Sequence, residues 1–184
     1  MNIYRVRNDI FIVENFYPKY KELYNVVINS ECLWELREDR IKNFNIDNDT
    51  TTERYSTEFV ELCNNYIFCL EETVENVGNF YIGPTRGNFI IGFSIYEKDT
   101  FINKHKDTYD IHDANNQHVW SSVHYLNSNF TGGEIVFVDI DLEIKPLENM
   151  LLVFNSNYLH ETKKIKSGQK ICGTRFWKSR GNKQ

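Results

Sequence analysis

Long apolar runs are missing from this sequence of 184 residues. The longest apolar runs, of which Met150 to Phe154 is an example, fall far short of the roughly 20 apolar residues that a membrane-spanning helix needs. The first residues, MNIYRVRNDIFIVENF, lack the apolar core and the small-residue cleavage site of a secretory signal. The sequence therefore predicts a chain without a membrane segment and with a cytoplasmic location.

Cysteine patterns typical of disulfide scaffolds or metal knuckles are also missing. The four cysteines form no C-x-x-C pair and predict reduced thiols: Cys32, Cys63, Cys69 and Cys172. The sequence has no internal repeat, low-complexity tract or linker, which predicts one domain over residues 1–184. A net charge of −5 argues against a general nucleic-acid binder, because such proteins carry a strongly basic surface.

The first half of the sequence predicts two helices and one strand. IFIVENF, within residues 1–16, is β-prone and predicts an opening strand. Apolar residues near helical spacing predict a helix from Pro18 to about Glu38 and a second from Thr52 to about Val77. The Asn/Asp-rich residues 39–51 predict a loop, and GPTRGN (83–88) predicts a turn.

From Phe89 onward the sequence consists of short β-prone segments separated by turn residues. The predicted strands are 89–97, 101–108, 118–127, 134–140, 150–155, 158–165 and 170–178. Many short strands joined by turns are typical of a β-sandwich or barrel. The predicted fold class is therefore mainly β with flanking helices (α+β), the helices of the first half packing outside one sheet.

One short segment, FINKHKD (101–107), combines metal-binding side chains with a strand pattern. Residues two apart on a strand share a face, so His105 and Asp107 are expected to point the same way. A second histidine from a distant strand would complete a two-histidine, one-carboxylate set, which suits non-haem Fe(II) oxygenases. The alternative interpretation is a pair of surface residues on an edge strand.

Four histidines could supply the third ligand. His112 lies in a polar loop and is expected to be solvated, whereas His118 and His124 lie in the strand HVWSSVHYLN and are expected to be structural. His160 follows the apolar strand MLLVF and the polar turn NSNY, where a buried core can present a ligand to a pocket. His160 is therefore the preferred candidate.

A lysine ten residues after His160 opens the last predicted strand, KICGTRFW. Lys170, Cys172, Thr174 and Phe176 share one face of this strand. A lysine that points into a barrel needs an anionic partner, and a bound dicarboxylate would supply one. The alternative is an ordinary exposed lysine.

Residues 89–177 resemble the catalytic domain of the prolyl 4-hydroxylase-like Fe(II)/2-oxoglutarate-dependent dioxygenases. Tyr96 stands nine residues before the histidine of the H-x-D pair, as in that family. VWSSVHYLNSNFTGGEIVF (119–137) is similar to the family's hydrophobic-YLN-x-x-F-x-GGE-hydrophobic-x-F signature. PLENMLLVFNSNYLHETKKIKSGQKICGTRFW is similar to its P-x-x-G-x-hydrophobic-F…H-E-V…SG-x-R/K…W ending.

The resemblance implies a double-stranded β-helix, a jelly roll of the cupin-like type, over 89–178, with 1–88 as a helical and strand support half. It implies that His105, Asp107 and His160 are iron ligands.

The same resemblance implies that four other residues line the cosubstrate pocket: Lys170, Tyr96, Tyr125 and Thr174. For the two tyrosines, aromatic core packing is the alternative. The implied cofactors are Fe(II), 2-oxoglutarate as cosubstrate and O₂, and the family also allows ascorbate.

The favoured function is hydroxylation of a prolyl residue in a peptide or protein, with succinate and CO₂ as co-products. The alternatives are hydroxylation of another amino acid or small molecule, and a non-catalytic jelly-roll interaction domain. The loop 109–117 is a candidate lid. Two departures from the family pattern are Lys170, where many prokaryotic members have Arg, and Asn149, which replaces a frequent Gly and is expected to matter little.

Overall fold

The computed structural model describes residues 1–29, 35–36, 41–47, 56–83, 89–108 and 120–182. These residues form two α-helices, α1 (Tyr20–Asn29) and α2 (Thr57–Gly78), a 3-10 turn (Val138–Ile140) and fifteen strands. The strands are β1 (Asn2–Arg7), β2 (Ile10–Glu14), β3 (Glu35–Leu36), β4 (Lys42–Asp47), β5 (Phe80–Gly83), β6 (Phe89–Tyr96), β7 (Ile102–His105), β8 (Trp120–Tyr125), β9 (Thr131–Gly132), β10 (Ile135–Phe137), β11 (Leu142–Ile144), β12 (Met150–Asn155), β13 (His160–Thr162), β14 (Ile165–Ser167) and β15 (Lys170–Asn182).

The strands form two facing antiparallel sheets. The major sheet has the strand order β1-β2-β12-β8-β15-β6-β4-β3, with β5 also paired to β15. The minor sheet has the order β11-β10-β13-β7, and β9 pairs with β14 as a separate ribbon. Strands distant in the sequence are neighbours in both sheets, as in a jelly roll. The predicted fold class, mainly β with flanking helices, is confirmed.

Strand β12 shows how one apolar run serves two cores. Met150, Leu152 and Phe154 belong to the buried cluster between the major and minor sheets. Leu151 and Val153 belong to a second cluster, between the major sheet and the two helices. Because both faces of this strand are buried, MLLVF reads as a continuous hydrophobic run rather than an alternating one.

Helix α2 confirms the second predicted helix. The Ser56 Oγ accepts a hydrogen bond from the Phe59 N–H at 3.3 Å, so Ser56 is the N-cap. The helix ends at Gly78, and Asn79 takes a left-handed conformation with φ of 53°.

Within the described residues, no helix is both long and apolar enough to cross a membrane.

The first predicted helix and the loop after it are partly wrong. Helix α1 begins two residues after Pro18 but ends at Asn29, and β3 occupies part of the predicted continuation to Glu38. Residues 42–47, predicted as loop, form β4 and pair with both β3 and β6. Sheet pairing overrides the weak strand propensity of Asn and Asp at this position.

The β-prone segments of the second half are confirmed as strands, with different boundaries. The predicted segment 134–140 contains β10 followed by the 3-10 turn, and 158–165 covers β13 and the first residue of β14. Strands β5, β9 and β11 are additional. Strand β7 ends at His105, so Asp107 lies just beyond the strand rather than on it.

Candidate active site

The pairing of β7 with β13 brings two histidines together from positions 55 residues apart in the sequence. His105 and His160 are Cα partners across this pair, and their ring centroids are 4.3 Å apart. The chain then continues to Asp107, whose N–H donates to the Ser156 carbonyl at 3.1 Å. This bond replaces strand pairing beyond the end of β7 and keeps the carboxylate beside the imidazoles.

The Asp107 carboxylate lies beside both imidazoles. His105 Nε2 is 3.3 Å from one carboxylate oxygen, Oδ1, and His160 Nε2 is 3.7 Å from the other, Oδ2. The three side chains each offer one ligand atom, and these atoms lie within 4.8 Å of one another. Two imidazoles and one carboxylate at such separations could hold a single divalent metal ion.

Backbone carbonyls fix the orientation of both rings. His105 Nδ1 lies 2.8 Å from the Asn103 carbonyl, and His160 Nδ1 lies 3.0 Å from the Tyr158 carbonyl. A carbonyl only accepts, so each Nδ1 carries the proton and donates it. In the neutral tautomer, each Nε2 then has a lone pair available to a metal.

The electrostatics of the cluster favour the ligand form of these side chains. Burial acts to raise the pKa of Asp107, but hydrogen bonds from His105 and Ser121 and the nearby His160 outweigh burial and lower it. Burial lowers the pKa of His160. The hydrogen bond with Asp107 raises the pKa of His105. An ionised carboxylate and a neutral His160 match the protonation states that metal ligands require.

Lys170 is a buried cation beside Tyr96, which belongs to the apolar cluster between the two sheets. It is 2% exposed, its Cα pairs with that of Tyr96 across β15 and β6, and its Nζ lies 4.0 Å from the centroid of the Tyr96 ring. In the described part of the chain, no carboxylate oxygen lies within 4.0 Å of this ammonium. Burial lowers the pKa of Lys170 to about 8. A buried ammonium without a close carboxylate is suited to an anionic ligand.

Tyr125 and Thr174 lie on the same side of the major sheet as Lys170. Tyr125 is buried, and its Cα pairs with that of Cys172 on β15. Thr174 is partly buried, pairs with Gly92 on β6, and hydrogen-bonds the Cys172 thiol. The four residues predicted to line the cosubstrate pocket thus share one side of the major sheet.

Asn127 is a site residue that the sequence analysis did not single out. Its side-chain Oδ1 accepts from the Ile171 N–H at 2.9 Å, and its Nδ2 donates to the Gln169 carbonyl at 2.7 Å. These bonds hold the backbone on either side of Lys170. The available signal was the Asn of the YLN motif, whose buried amide needs partners.

The glycine pair of the GGE motif packs closely against the start of β14. Gly133 has φ of +72°, and a Cβ there would lie 2.5 Å from Ile165 Cδ1 and 3.4 Å from Lys170 Cδ. Gly132 has φ of +80°, and a Cβ there would lie 2.1 Å from the Lys164 carbonyl oxygen. Because both positions combine a positive φ with a contact too close for a Cβ, GG is a packing requirement of the ribbon formed by β9 and β14.

His124 has the structural role predicted for it. The Asn149 Oδ1 accepts from the Tyr17 N–H at 3.0 Å and lies 3.1 Å from His124 Nε2, while Tyr66 Oη lies 3.1 Å from His124 Nδ1. A neutral ring with its proton on Nε2 satisfies both contacts.

Residues 109–119 lie outside the described residues, and with them the predicted lid and two candidate ligands, His112 and His118.

Asn149 matters more than the sequence analysis expected. It takes the left-handed conformation at φ of 56°, where glycine is common, yet its side chain joins His124 to the segment before α1. Its Nδ2 donates to the Tyr17 carbonyl at 3.1 Å. The asparagine therefore attaches the N-terminal segment to the major sheet, which a glycine could not do through a side chain.

The fold and the cluster define a jelly-roll protein with the side chains of a two-histidine, one-carboxylate metal centre. Residues 91–178 match the family model of the 2OG-Fe(II) oxygenase superfamily. That segment contains His105, Asp107, His160 and Lys170. Comparison with curated protein sequences finds no match.

Solved structures with the same fold cover nearly the whole chain. A viral collagen prolyl hydroxylase from Paramecium bursaria Chlorella virus-1, in complex with 2OG, is 15% identical, with a TM-score of 0.64 and coverage of 94% of this chain and 96% of that chain. A Pseudomonas putida prolyl-4-hydroxylase is 17% identical, with a TM-score of 0.68 and 94% of each chain covered.

A third structure, from Trichoplax adhaerens, is a prolyl hydroxylase in complex with a hypoxia inducible factor peptide fragment. It is 17% identical, with a TM-score of 0.69 and coverage of 92% of this chain and 84% of that chain. At these identities the three structures show the double-stranded β-helix fold, which confirms the jelly roll expected from the sequence.

Proposed function

We propose that this chain is a dioxygenase dependent on Fe(II) and 2-oxoglutarate that hydroxylates a prolyl residue in a peptide or protein. The observation that carries the proposal is the convergence of His105, Asp107 and His160, whose ligand atoms lie within 4.8 Å of one another. Imidazole and carboxylate donors in this ratio suit ferrous iron and leave coordination positions for other ligands.

Two backbone contacts and one ionised carboxylate prepare these residues to bind a metal ion. The Asn103 and Tyr158 carbonyls orient His105 and His160 through their Nδ1–H groups, so each Nε2 is left as the donor atom. Asp107 is largely buried and ionised. An ionised carboxylate beside two imidazoles needs a cation, and an Fe(II) ion would supply the charge.

Lys170 would bind the distal carboxylate of 2-oxoglutarate. Its ammonium is buried against the Tyr96 ring, and Tyr125 and Thr174 lie on the same side of the major sheet and would add hydroxyl donors. Lysine acts here as a compact point charge, which suits one carboxylate in a confined pocket. Asn127 holds the lysine in place through the neighbouring backbone.

Fe(II) with 2-oxoglutarate and O₂ supplies the oxidising chemistry, in which one oxygen atom enters a substrate C–H bond and the other enters succinate as CO₂ leaves. The protein binds and orients these reactants and excludes water from them. Phe154 and Phe137 contribute to that exclusion, because their ring centroids lie 4.9 and 6.0 Å from that of His160.

The prolyl substrate is supported by the structures that share this fold. All three of the solved structures described above are prolyl hydroxylases, and one of them contains a peptide.

We further propose a cytoplasmic location, supported by the free thiols of Cys63, Cys69 and Cys172. A basic nucleic-acid-binding surface is not expected at a net charge of −5.

Succinate formation and product mass together test the proposal. Fe(II)-loaded wild-type protein and His160→Ala are each incubated with 2-oxoglutarate and a proline-containing peptide library. Wild type is expected to form succinate and to add the mass of one oxygen atom to prolyl residues, and His160→Ala is expected to do neither. Equal turnover by the two proteins would end the oxygenase assignment, whereas oxygen on another residue type would end the prolyl one.

A further inference from the structure

Two buried serines contact Asp107, Ser121 through the carboxylate and Ser156 through the backbone N–H. Ser121 lies on β8 of the major sheet and Ser156 lies in the turn after β12, and each is 0% exposed. The Ser121 hydroxyl donates to Asp107 Oδ2 at 2.6 Å. The Ser121 and Ser156 hydroxyl oxygens are 2.8 Å apart. Neither residue contacts solvent, so these hydroxyls serve the interior of the protein.

The direction of both hydrogen bonds follows from the chemistry of the carboxylate. An ionised Asp107 only accepts, so Ser121 uses its single hydroxyl proton for this bond. Ser121 can then only accept from Ser156, which makes Ser156 the donor. The three side chains form one directed chain, from Ser156 through Ser121 to Asp107, and each bond in such a chain polarises the next.

The turn that carries Ser156 also orients one of the histidines. The Ser156 carbonyl accepts from the Asp107 N–H at 3.1 Å, and two residues later the Tyr158 carbonyl accepts from His160 Nδ1 at 3.0 Å. Asn155 closes this turn, because its side-chain Oδ1 accepts from the Asn157 N–H at 2.9 Å. One short turn thus fixes two members of the ligand cluster.

We propose that Ser121, supported by Ser156, is a positioning residue for the metal: it fixes the rotation of the Asp107 carboxylate so that the ligand set is formed before the metal binds. The inference rests on the proposed function, because it needs a metal at this cluster. Holding Oδ2 by a hydrogen bond fixes the plane of the carboxylate, so that Oδ1 stays 3.3 Å from His105 Nε2 and Oδ2 stays 3.7 Å from His160 Nε2. Partners of this kind set metal affinity through the geometry of the ligand.

The neighbouring serine provides a matched control. Ser122 lies on the same strand, is 1% exposed, and faces the other side of the major sheet. Its hydroxyl donates to the Arg175 carbonyl at 3.3 Å and accepts from Trp177 Nε1 at 2.9 Å. Replacing either serine by alanine removes the same buried hydroxyl from the same strand, but only Ser121 contacts the ligand cluster.

Manganese binding measures the proposed role without turnover. Mn²⁺ is titrated into wild type, Ser121→Ala, Ser156→Ala, Ser122→Ala and Ser121→Thr, and free Mn²⁺ is followed by its electron paramagnetic resonance signal. Ser121→Ala is expected to bind about 10-fold more weakly, Ser156→Ala to be weakened less, and Ser121→Thr to recover most of the affinity. Ser122→Ala is expected to keep wild-type affinity, and the thermal midpoint of each variant reports its folding.

The outcomes separate the inference from the proposed function. Wild-type protein that binds no Mn²⁺ would overturn both. Wild-type binding together with equal affinities for Ser121→Ala and Ser122→Ala would overturn the positioning role alone. A Ser121→Thr variant that folds but binds as weakly as Ser121→Ala would also overturn it, since packing rather than the hydroxyl would then be responsible.

Discussion

Lys170 and Tyr96 are Cα partners across β15 and β6, and the lysine ammonium lies 4.0 Å from the centroid of the tyrosine ring. The aromatic face offers the ammonium partial compensation for its lost hydration. It does not supply the negative charge that a fully buried ammonium needs, so an anionic ligand would stabilise the charged lysine. This relationship gives the first two predictions.

Replacing the buried lysine is expected to weaken cosubstrate binding. Lys170→Met removes the charge with little change in side-chain length, and we expect the dissociation constant for 2-oxoglutarate to rise about 10-fold or more, because hydrogen bonds to charged groups contribute about 1.5–3 kcal/mol. Calorimetric titration of the Mn²⁺-loaded protein measures it. Lys164→Met is the control, since Lys164 is exposed. Unchanged affinity in Lys170→Met would contradict the assignment of the pocket.

Cosubstrate affinity should also depend on alkaline pH. Burial lowers the pKa of Lys170 to about 8, so in the free protein the ammonium loses its proton as pH rises through that value. The charged form binds the carboxylate, so the KM for 2-oxoglutarate is expected to be lowest below pH 8 and to rise above it. Steady-state kinetics between neutral and alkaline pH check this. In Lys170→Met the same rise should disappear, and its persistence would point to another group.

Loss of the Asn127 amide is expected to act on the same lysine through the backbone. Asn127→Ala removes the bonds to the Gln169 carbonyl and the Ile171 N–H, so Lys170 is held less firmly. We expect a several-fold higher KM for 2-oxoglutarate with a smaller change in kcat, since an indirect contact should contribute less than the charge itself. Asn64→Ala, which removes an exposed asparagine side chain from α2, is the control. Equal KM values for Asn127→Ala and wild type would show that the Asn127 amide does not act on cosubstrate binding through Lys170.

Acid should destabilise the fold through His124. Burial lowers the pKa of His124 to about 4, well below its ordinary value, so between about pH 6.5 and pH 4 the unfolded chain binds a proton that the folded chain does not. The free energy of unfolding is therefore expected to fall by about 3 kcal/mol as pH drops through this window. Urea denaturation at several pH values measures it. His124→Gln should be less stable at neutral pH but should lose less on acidification, and an identical pH slope would exclude His124 as the cause.

The sequence was sufficient for the residues of the site because their spacing carried the information. The H-x-D pair at His105, the late histidine at His160 and the lysine ten residues beyond it were all identified from the sequence, and the structure brings the H-x-D pair and His160 together. The roles of these residues as ligands stay predictions. The interpretation of residues 1–184 as one domain also stays a prediction.

The contacts that support these residues could not be predicted, because they come from tertiary pairing. Ser121 contacts Asp107 only because β8 and the turn after β12 meet behind the carboxylate. Asn149 resembled a neutral turn substitution until its side chain was seen to join His124 to Tyr17.

Strand β4 shows the same limit at the level of the fold. Its Asn/Asp-rich sequence predicts a loop by composition alone, and its pairing with β6 makes it a strand.

The proposed function requires that His105, Asp107 and His160 hold a single ferrous ion to which 2-oxoglutarate also binds. Anaerobic addition of Fe(II) and 2-oxoglutarate, followed by visible absorption, tests it directly. We expect wild-type protein to develop a metal-to-ligand charge-transfer band that requires both additions, and we expect His160→Ala to show none. A wild-type protein without the band, or a His160→Ala variant that retains it at full intensity, would contradict the account.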